Sequence, residues 1–160
     1  LPYEMGLIKN KYIGRTFIQP SQELRDKGVK MKLSPVRSIV NGKRVVLIDD
    51  SIVRGTTSRR IVRMLREAGA TQVHVRIASP MIKFPCFYGV DISTYEELLC
   101  SRRTLDEARQ AIEADTLEFL KESALYEAGK RSDLCLACFT GDYPTALYAS
   151  FEEANKDGKF

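Results

Sequence analysis

The chain has 160 residues, with 44% hydrophobic and 29% charged residues and a formal net charge of +4, the profile of one globular domain with a real core. The basic excess is mild and no Lys/Arg block is interleaved with aromatics, so a phosphate-bearing small molecule suits the charge and nucleic acid is not expected as a partner. No apolar run approaches the roughly 20 residues that a membrane-spanning helix needs, so no membrane partner is expected either.

The opening LPYEMGLIKNKY is mixed and polar, lacks an initiator Met and reads as the interior of a longer chain rather than as a leader peptide. Residues 1–20 predict irregular backbone with one short strand. SQELRDKG, with Ser21 as N-cap and Gly28 as stop, predicts a short helix. The apolar runs on either side of Asn41-Gly42 predict a hairpin. The second of them, Val45 to Ile48, is continuous and predicts a strand buried on both faces, as in a parallel sheet with helices on each side.

TTSRRIVRMLREAGA places Ile61, Val62, Leu65 and Ala68 at helical spacing and ends at Gly69, and TQVHVRIASP predicts the next strand. Residues 43–80 therefore read as a strand–turn–helix–strand unit. STYEELLC, TLDEARQAIEA and ADTLEFLKESALYEAG read as short helices, the second with the capping-box spacing of Thr104 and Glu107. KRSDLCLACFTGDYPT reads as a loop with two Cys, and FEEANKDGKF as a fraying tail.

The segment KRVVLIDDSIVRGTTSRR carries the strongest chemical signal. Asp49 and Asp50 repel each other at the carboxyl end of a strand, where open α/β sheets bind ligands, and such a pair calls for a cation or a donor-rich ligand. After them, Gly55 permits a close backbone approach, Thr56, Thr57 and Ser58 supply hydroxyls, and a helix amino terminus offers N–H donors, which together make a monophosphate cradle. The acids stand one short loop away, so a pentose phosphate fits both halves, and Mg²⁺ would ease the repulsion. A solvated acid pair beside a capped helix is the competing reading. It suits the two acids alone better than the whole string.

The cysteines leave more open. Four Cys without a secretory signal point to a reducing, cytoplasmic setting. Cys135 and Cys138 form a C-x-x-C pair, with zinc, an iron–sulfur cluster, a redox pair and buried thiols all compatible. Cys100 reads as a core thiol. His74, the sole His, alternates with Val73 and Val75 on a strand and is expected to be packed or exposed rather than catalytic.

VVLIDDSIVRGTTS resembles the phosphoribosyl-pyrophosphate (PRPP) binding motif of the type I phosphoribosyltransferases. GLIKNKYIGRTFIQPSQELRDKGVKMKLSPV, REAGATQVHVRIASP, FPCFYGVDISTYEELL and CLACFTGDYPT narrow this to the glutamine PRPP amidotransferases of the iron–sulfur type, over residues 1–148. The resemblance implies an α/β fold: an open, mostly parallel sheet flanked by helices, truncated on its amino-terminal side, with a helical carboxy-terminal extension. Residues 1–80 would hold part of the transferase core with a lid-like segment 9–32, and residues 81–160 the remaining core and the cysteine-bearing tail. An unpaired sheet edge and exposed apolar surface are expected.

The implied reaction is attack of ammonia, released from glutamine by a glutaminase half not seen here, on C1 of PRPP. It yields 5-phosphoribosylamine and pyrophosphate and opens purine synthesis. Asp49 and Asp50 would face the ribose hydroxyls and Mg²⁺, and Ser51, Ile52, Val53, Arg54, Gly55, Thr56, Thr57 and Ser58 would wrap the 5′-phosphate. No residue acts as a nucleophile, and Lys9, Lys11, Tyr12, Arg15 and Gln19 are lid candidates. Cys86, Cys135 and Cys138 would ligate a 4Fe–4S cluster, structural or oxygen-sensing in role, with its fourth ligand outside this chain. The family further implies purine nucleotides as feedback inhibitors and a homo-oligomer, and the chain by itself is expected to be inactive with glutamine. The alternative is a PRPP- or nucleotide-binding regulator of the same fold without catalysis.

Overall fold

The structure, a computed structural model, describes residues 1–9, 33–90, 92 and 94–145. The predicted helix at Ser21–Gly28 and the polar tail lie outside the described residues. Among the described residues five strands are present: β1 (Leu7–Lys9), β2 (Leu33–Pro35), β3 (Arg44–Asp49), β4 (Gln72–Ile77) and β5 (Thr116–Phe119). The helices are α1 (Arg37–Val40), α2 (Thr56–Glu67), α3 (Leu105–Ala111), α4 (Glu122–Gly129) and α5 (Ala137–Thr140), with a 3₁₀ turn at Tyr95–Glu97.

β3, β4 and β5 form a parallel sheet in that order, with Val46 opposite His74 and His74 opposite Thr116. The crossovers between successive neighbours put α2 and α3 in one shared core against the sheet. There Ile61, Val62 and Leu65 of α2 and Ala108 of α3 bury against Val73, Val75, Ile77 and Leu117. Each fully buried aliphatic side chain of this kind contributes about 1.5–3 kcal/mol. The strand–turn–helix–strand unit is as expected. So is the capping box, in which Glu107 N–H donates to Thr104 Oγ1 (3.3 Å) and Thr104 N–H donates to Glu107 Oε2 (2.7 Å).

Several expectations differ from the structure, among them STYEELLC, read as a short helix, whose described residues hold only the 3₁₀ turn Tyr95–Glu97. Asn41-Gly42 does not close a hairpin; it joins α1 to β3, and Gly42 N–H donates to Gly69 O across the amino-terminal end of the sheet. Val36, Ile39 and Val40 stand at i, i+3 and i+4, a helical rather than an alternating pattern, and the antiparallel partner of β2 is the distant β1. β3 is not buried on both faces. Among the described residues it pairs only with β4, and Val46 and Ile48 are 40% and 73% exposed on the face away from the helices.

A further difference is ADTLEFLKESALYEAG, which opens with β5 before α4. Thr116-Leu117-Glu118-Phe119 alternates, with Leu117 buried and Glu118 exposed. The loop predicted around Cys135 and Cys138 also holds one short helix, α5. Among the described residues no helix is long and apolar enough to cross a membrane.

Candidate active-site cleft

Asp49 closes β3 and Asp50 follows it into the turn. Both line an open cleft of about 710 Å³, together with every residue from Ser51 to Ser58. Asp49 is half-buried on the helix side of the sheet and Asp50 is exposed. Asp50 N–H donates to Asp49 Oδ1 (3.1 Å), and the Ser51 hydroxyl donates to Asp50 Oδ1 (3.1 Å). Burial pushes the Asp49 carboxyl up from its ordinary value; the Asp50 amide opposes this and the Asp50 charge adds to it. A cation or a set of hydroxyl donors reaching this pair from the cleft relieves a cost already present.

Across the cleft, α2 begins after Gly55, whose φ of +76° lies in the left-handed region. A Cβ there would stand 2.8 Å from Leu99 Cδ2. Backbone conformation and packing both call for glycine at this position. No side chain caps α2, so the first amides of a 12-residue helix are open to an anion, with the positive end of its dipole behind them. Ile52 is buried and anchors the turn, while Thr56 and Thr57 retain exposure at the cleft wall and Ser58 is buried.

Of the lid candidates, Lys9 lines this cleft from the end of β1, whose pairing with β2 sets Lys9 opposite Leu33. Lys11, Tyr12, Arg15 and Gln19 lie outside the described residues. Reading the sequence did not anticipate Val90 and Ile92 in the cleft lining, the Arg54–Glu97 ion pair (2.6 Å), or Leu99 against Gly55. These contacts join segments about 40 residues apart and have no local signature.

Cys86, Cys135 and Cys138 come into one neighbourhood. Lys83 and Phe84 amides donate to Cys138 O (3.0 and 3.1 Å), the Cys86 amide donates to Ile92 O (2.8 Å), and the Tyr143 hydroxyl donates to Pro85 O (2.7 Å). Burial pushes the Cys138 thiol up, and the nearby Cys86 and Cys135 add to the shift. All four cysteines are free thiols. Among the described residues no three His, Cys, Asp or Glu side chains converge tightly enough to hold a single metal ion. Cys100 is a core thiol, pushed up to about 11 chiefly by burial. His74 sits on the open sheet face against Thr116 Oγ1 and Gln72 Oε1, away from the cleft.

No protein-family model matches the chain. It is 65% identical over 154 residues to an amidophosphoribosyltransferase of Bacillus subtilis and 58% identical over 147 residues to one of Methanocaldococcus jannaschii, each match covering 92% of this chain. A solved glutamine PRPP amidotransferase from B. subtilis, complexed with ADP and GMP, superposes with a TM-score of 0.78 at 64% identity, covering 92% of this chain and 34% of that one. A second solved structure, described as the allosteric regulatory enzyme of purine biosynthesis, also gives 0.78, at 65% identity and 33% of its length. The chain spans about a third of the length of these relatives. Sequence and fold agree, and the chain belongs to the amidophosphoribosyltransferase family.

Proposed function

We propose that the cleft is the pentose-phosphate part of a PRPP site, in a protein that joins ammonia to C1 of PRPP and releases pyrophosphate. The observation that carries this is the meeting, in one cleft, of an acid pair, Asp49 half-buried and Asp50 exposed, and the uncapped amino terminus of α2. The 5′-phosphate takes the amides of the Ser51–Ser58 turn and helix start. The ribose diol donates to Asp49 and Asp50. Held at both ends, the sugar presents C1 to an incoming amine, and positioning with charge stabilisation does the chemical work. No protein nucleophile is required.

Mg²⁺ fits the acid pair by its oxygen donors and by the repulsion it would relieve, and when bound it neutralises the leaving pyrophosphate. Lys9, with Lys11, Tyr12, Arg15 and Gln19 from the segment 9–32, supplies cations and polar cover over that end of the ligand. Residues 1–80 hold most of this site, and residues 81–160 the rest of the core and the cysteines. The glutaminase chemistry belongs to a portion of the protein outside this chain, which acting alone does not use glutamine. The complete protein is a homo-oligomer of the cytoplasm.

Purine nucleotides, such as the ADP and GMP carried by the solved relative, share the 5′-phosphate and ribose diol with PRPP. We assign them the role of feedback inhibitors. The three grouped cysteines suit a 4Fe–4S cluster better than a single ion, because a multi-iron cluster holds its thiolates further apart than one metal does. Cys86, Cys135 and Cys138 would supply three ligands, and the cluster would tie the tail to the body. A non-catalytic PRPP-binding regulator would show the same cleft, and turnover in the complete protein separates the two.

Calorimetric titration of the chain with PRPP and Mg²⁺ tests the site. Asp49→Asn together with Asp50→Asn is expected to weaken binding by at least about tenfold, since two charge-assisted contacts are lost. Stability should hold or rise at neutral pH, because the raised Asp49 value marks a carboxylate that folding disfavours. Equal binding by the parent and the double variant would end the assignment.

A further inference from the structure

We propose that Glu97 and Leu99 are positioning residues for the phosphate turn, bracing it from behind so that its amides stay aimed into the cleft. This rests on the pentose-phosphate reading. Three contacts come from one short segment. Glu97 Oε1 accepts from Arg54 Nη2 at 2.6 Å. Leu99 N–H donates to Val53 O at 2.7 Å. Leu99 also closes the space in which any side chain at Gly55 would sit. Val53 packs against the buried cluster of Ile82, Ile92 and Leu98, so the support behind the turn is itself held by a small core.

A cation inside a phosphate-binding turn has two uses: it reaches the anion, or it holds the turn. Arg54 lies on the wall between the main cleft and a second cavity of about 330 Å³ that Glu96 and Glu97 also line. Its guanidinium is engaged by Glu97, and this assigns Arg54 to the second use. Recognition of the phosphate is left to peptide amides. The ion pair is partly exposed, so it adds little to folding. Its effect falls on the few residues whose orientation it fixes, and is read as ligand affinity rather than as melting temperature.

Titration of the ¹⁵N-labelled chain with ribose 5-phosphate, following the amides of residues 51–58, tests this. Glu97→Gln is expected to raise Kd by about three- to fivefold with the melting temperature unchanged. Glu97→Asp should recover part of the loss, and the dispersion of the remaining amide signals reports whether each variant is folded. Arg54→Gln should lose a similar amount, and Arg54→Gln with Glu97→Gln no more than the worse single change, because the pair acts as a unit. Unchanged Kd in Glu97→Gln, losses that add, or tighter binding when Arg54 is released would overturn the proposal while leaving the site intact. Parent amides that ignore ribose 5-phosphate would remove the pentose-phosphate reading first and this inference with it.

Discussion

The β3–α2 cleft and the cysteine neighbourhood both draw on residues 82–99, Val90 and Ile92 for the first and Cys86 for the second, yet they are built in opposite ways. The cleft is made almost entirely by ten consecutive residues, 49–58, at a strand end and a helix start, where backbone geometry fixes the donors. The cysteine neighbourhood gathers Cys86 and Cys138 from stretches 52 residues apart, with one short helix and a few loop hydrogen bonds to hold them. A site of the first kind folds with its sheet. A site of the second kind depends on whatever its thiols bind, because binding free energy there is also folding free energy.

The sharpest way to break this comparison is at Cys138. Reconstitution of the chain with ferrous iron and sulfide under anaerobic conditions is expected to give a brown absorbance, and Cys138→Ser to abolish it. Cys100→Ala should leave it unchanged, since Cys100 is buried in the main core with its thiol pushed up to about 11. Because the Cys138 thiol is also pushed up, metal binding must displace its proton, and iron uptake should strengthen with rising pH. Equal absorbance in Cys138→Ser would show that the cysteines are packed thiols only.

A smaller effect, several kcal/mol rather than all or none, is expected in the cleft. Gly55→Ala places a Cβ at φ +76° and 2.8 Å from Leu99 Cδ2. The left-handed backbone costs about 1–2 kcal/mol and overpacking about 1–3 kcal/mol more. Gly42→Ala is the control: its φ is +73° with no atom within 4 Å of the added Cβ, so it carries the backbone cost alone. Urea denaturation should therefore rank Gly55→Ala as the more damaging, and only that variant should also weaken ribose 5-phosphate binding. Equal losses would mean that Leu99 yields and does not brace the turn.

The same contrast explains how much was legible in the sequence. The strand–turn–helix–strand unit was readable because the continuous apolar run of residues 45–48, the helical spacing of residues 61–68, the acid pair and the glycine all act locally. Thr104 and Glu107 were readable for the same reason. Val36, Ile39 and Val40 misled because Asn41-Gly42 is a strong hairpin signal, and nothing in the sequence says that β2 pairs with β1 instead. β5 was hidden because four alternating residues run straight into a helix. The continuous apolar run of β3 suggested burial on both faces, but a run of that kind reports hydrophobicity and not what covers it, and Ile48 is exposed here. Arg54 read as one more residue of the turn, and its tie to Glu97 is a matter of tertiary structure.

The smallest effect concerns the far side of α2, where Glu113 takes both Arg63 and Arg59 as hydrogen-bond donors. These donors hold its carboxyl down to about 2, with Arg63 the larger influence, although Glu113 itself sits at φ +61° on the turn before β5. A depressed carboxyl contributes stability that is present above its ordinary value of 4.5 and is lost as pH falls through about 2. Glu113→Gln should therefore flatten the acid limb of the stability profile between those two values. At neutral pH it should lower the melting temperature by no more than about 3 °C, because solvent screens the pair. Added salt should shrink even that difference. A larger loss, or one that appears in ribose 5-phosphate affinity, would mean that α2 is held in place from its outer face as well as from Leu99, and that the cleft is less local than its ten consecutive residues suggest.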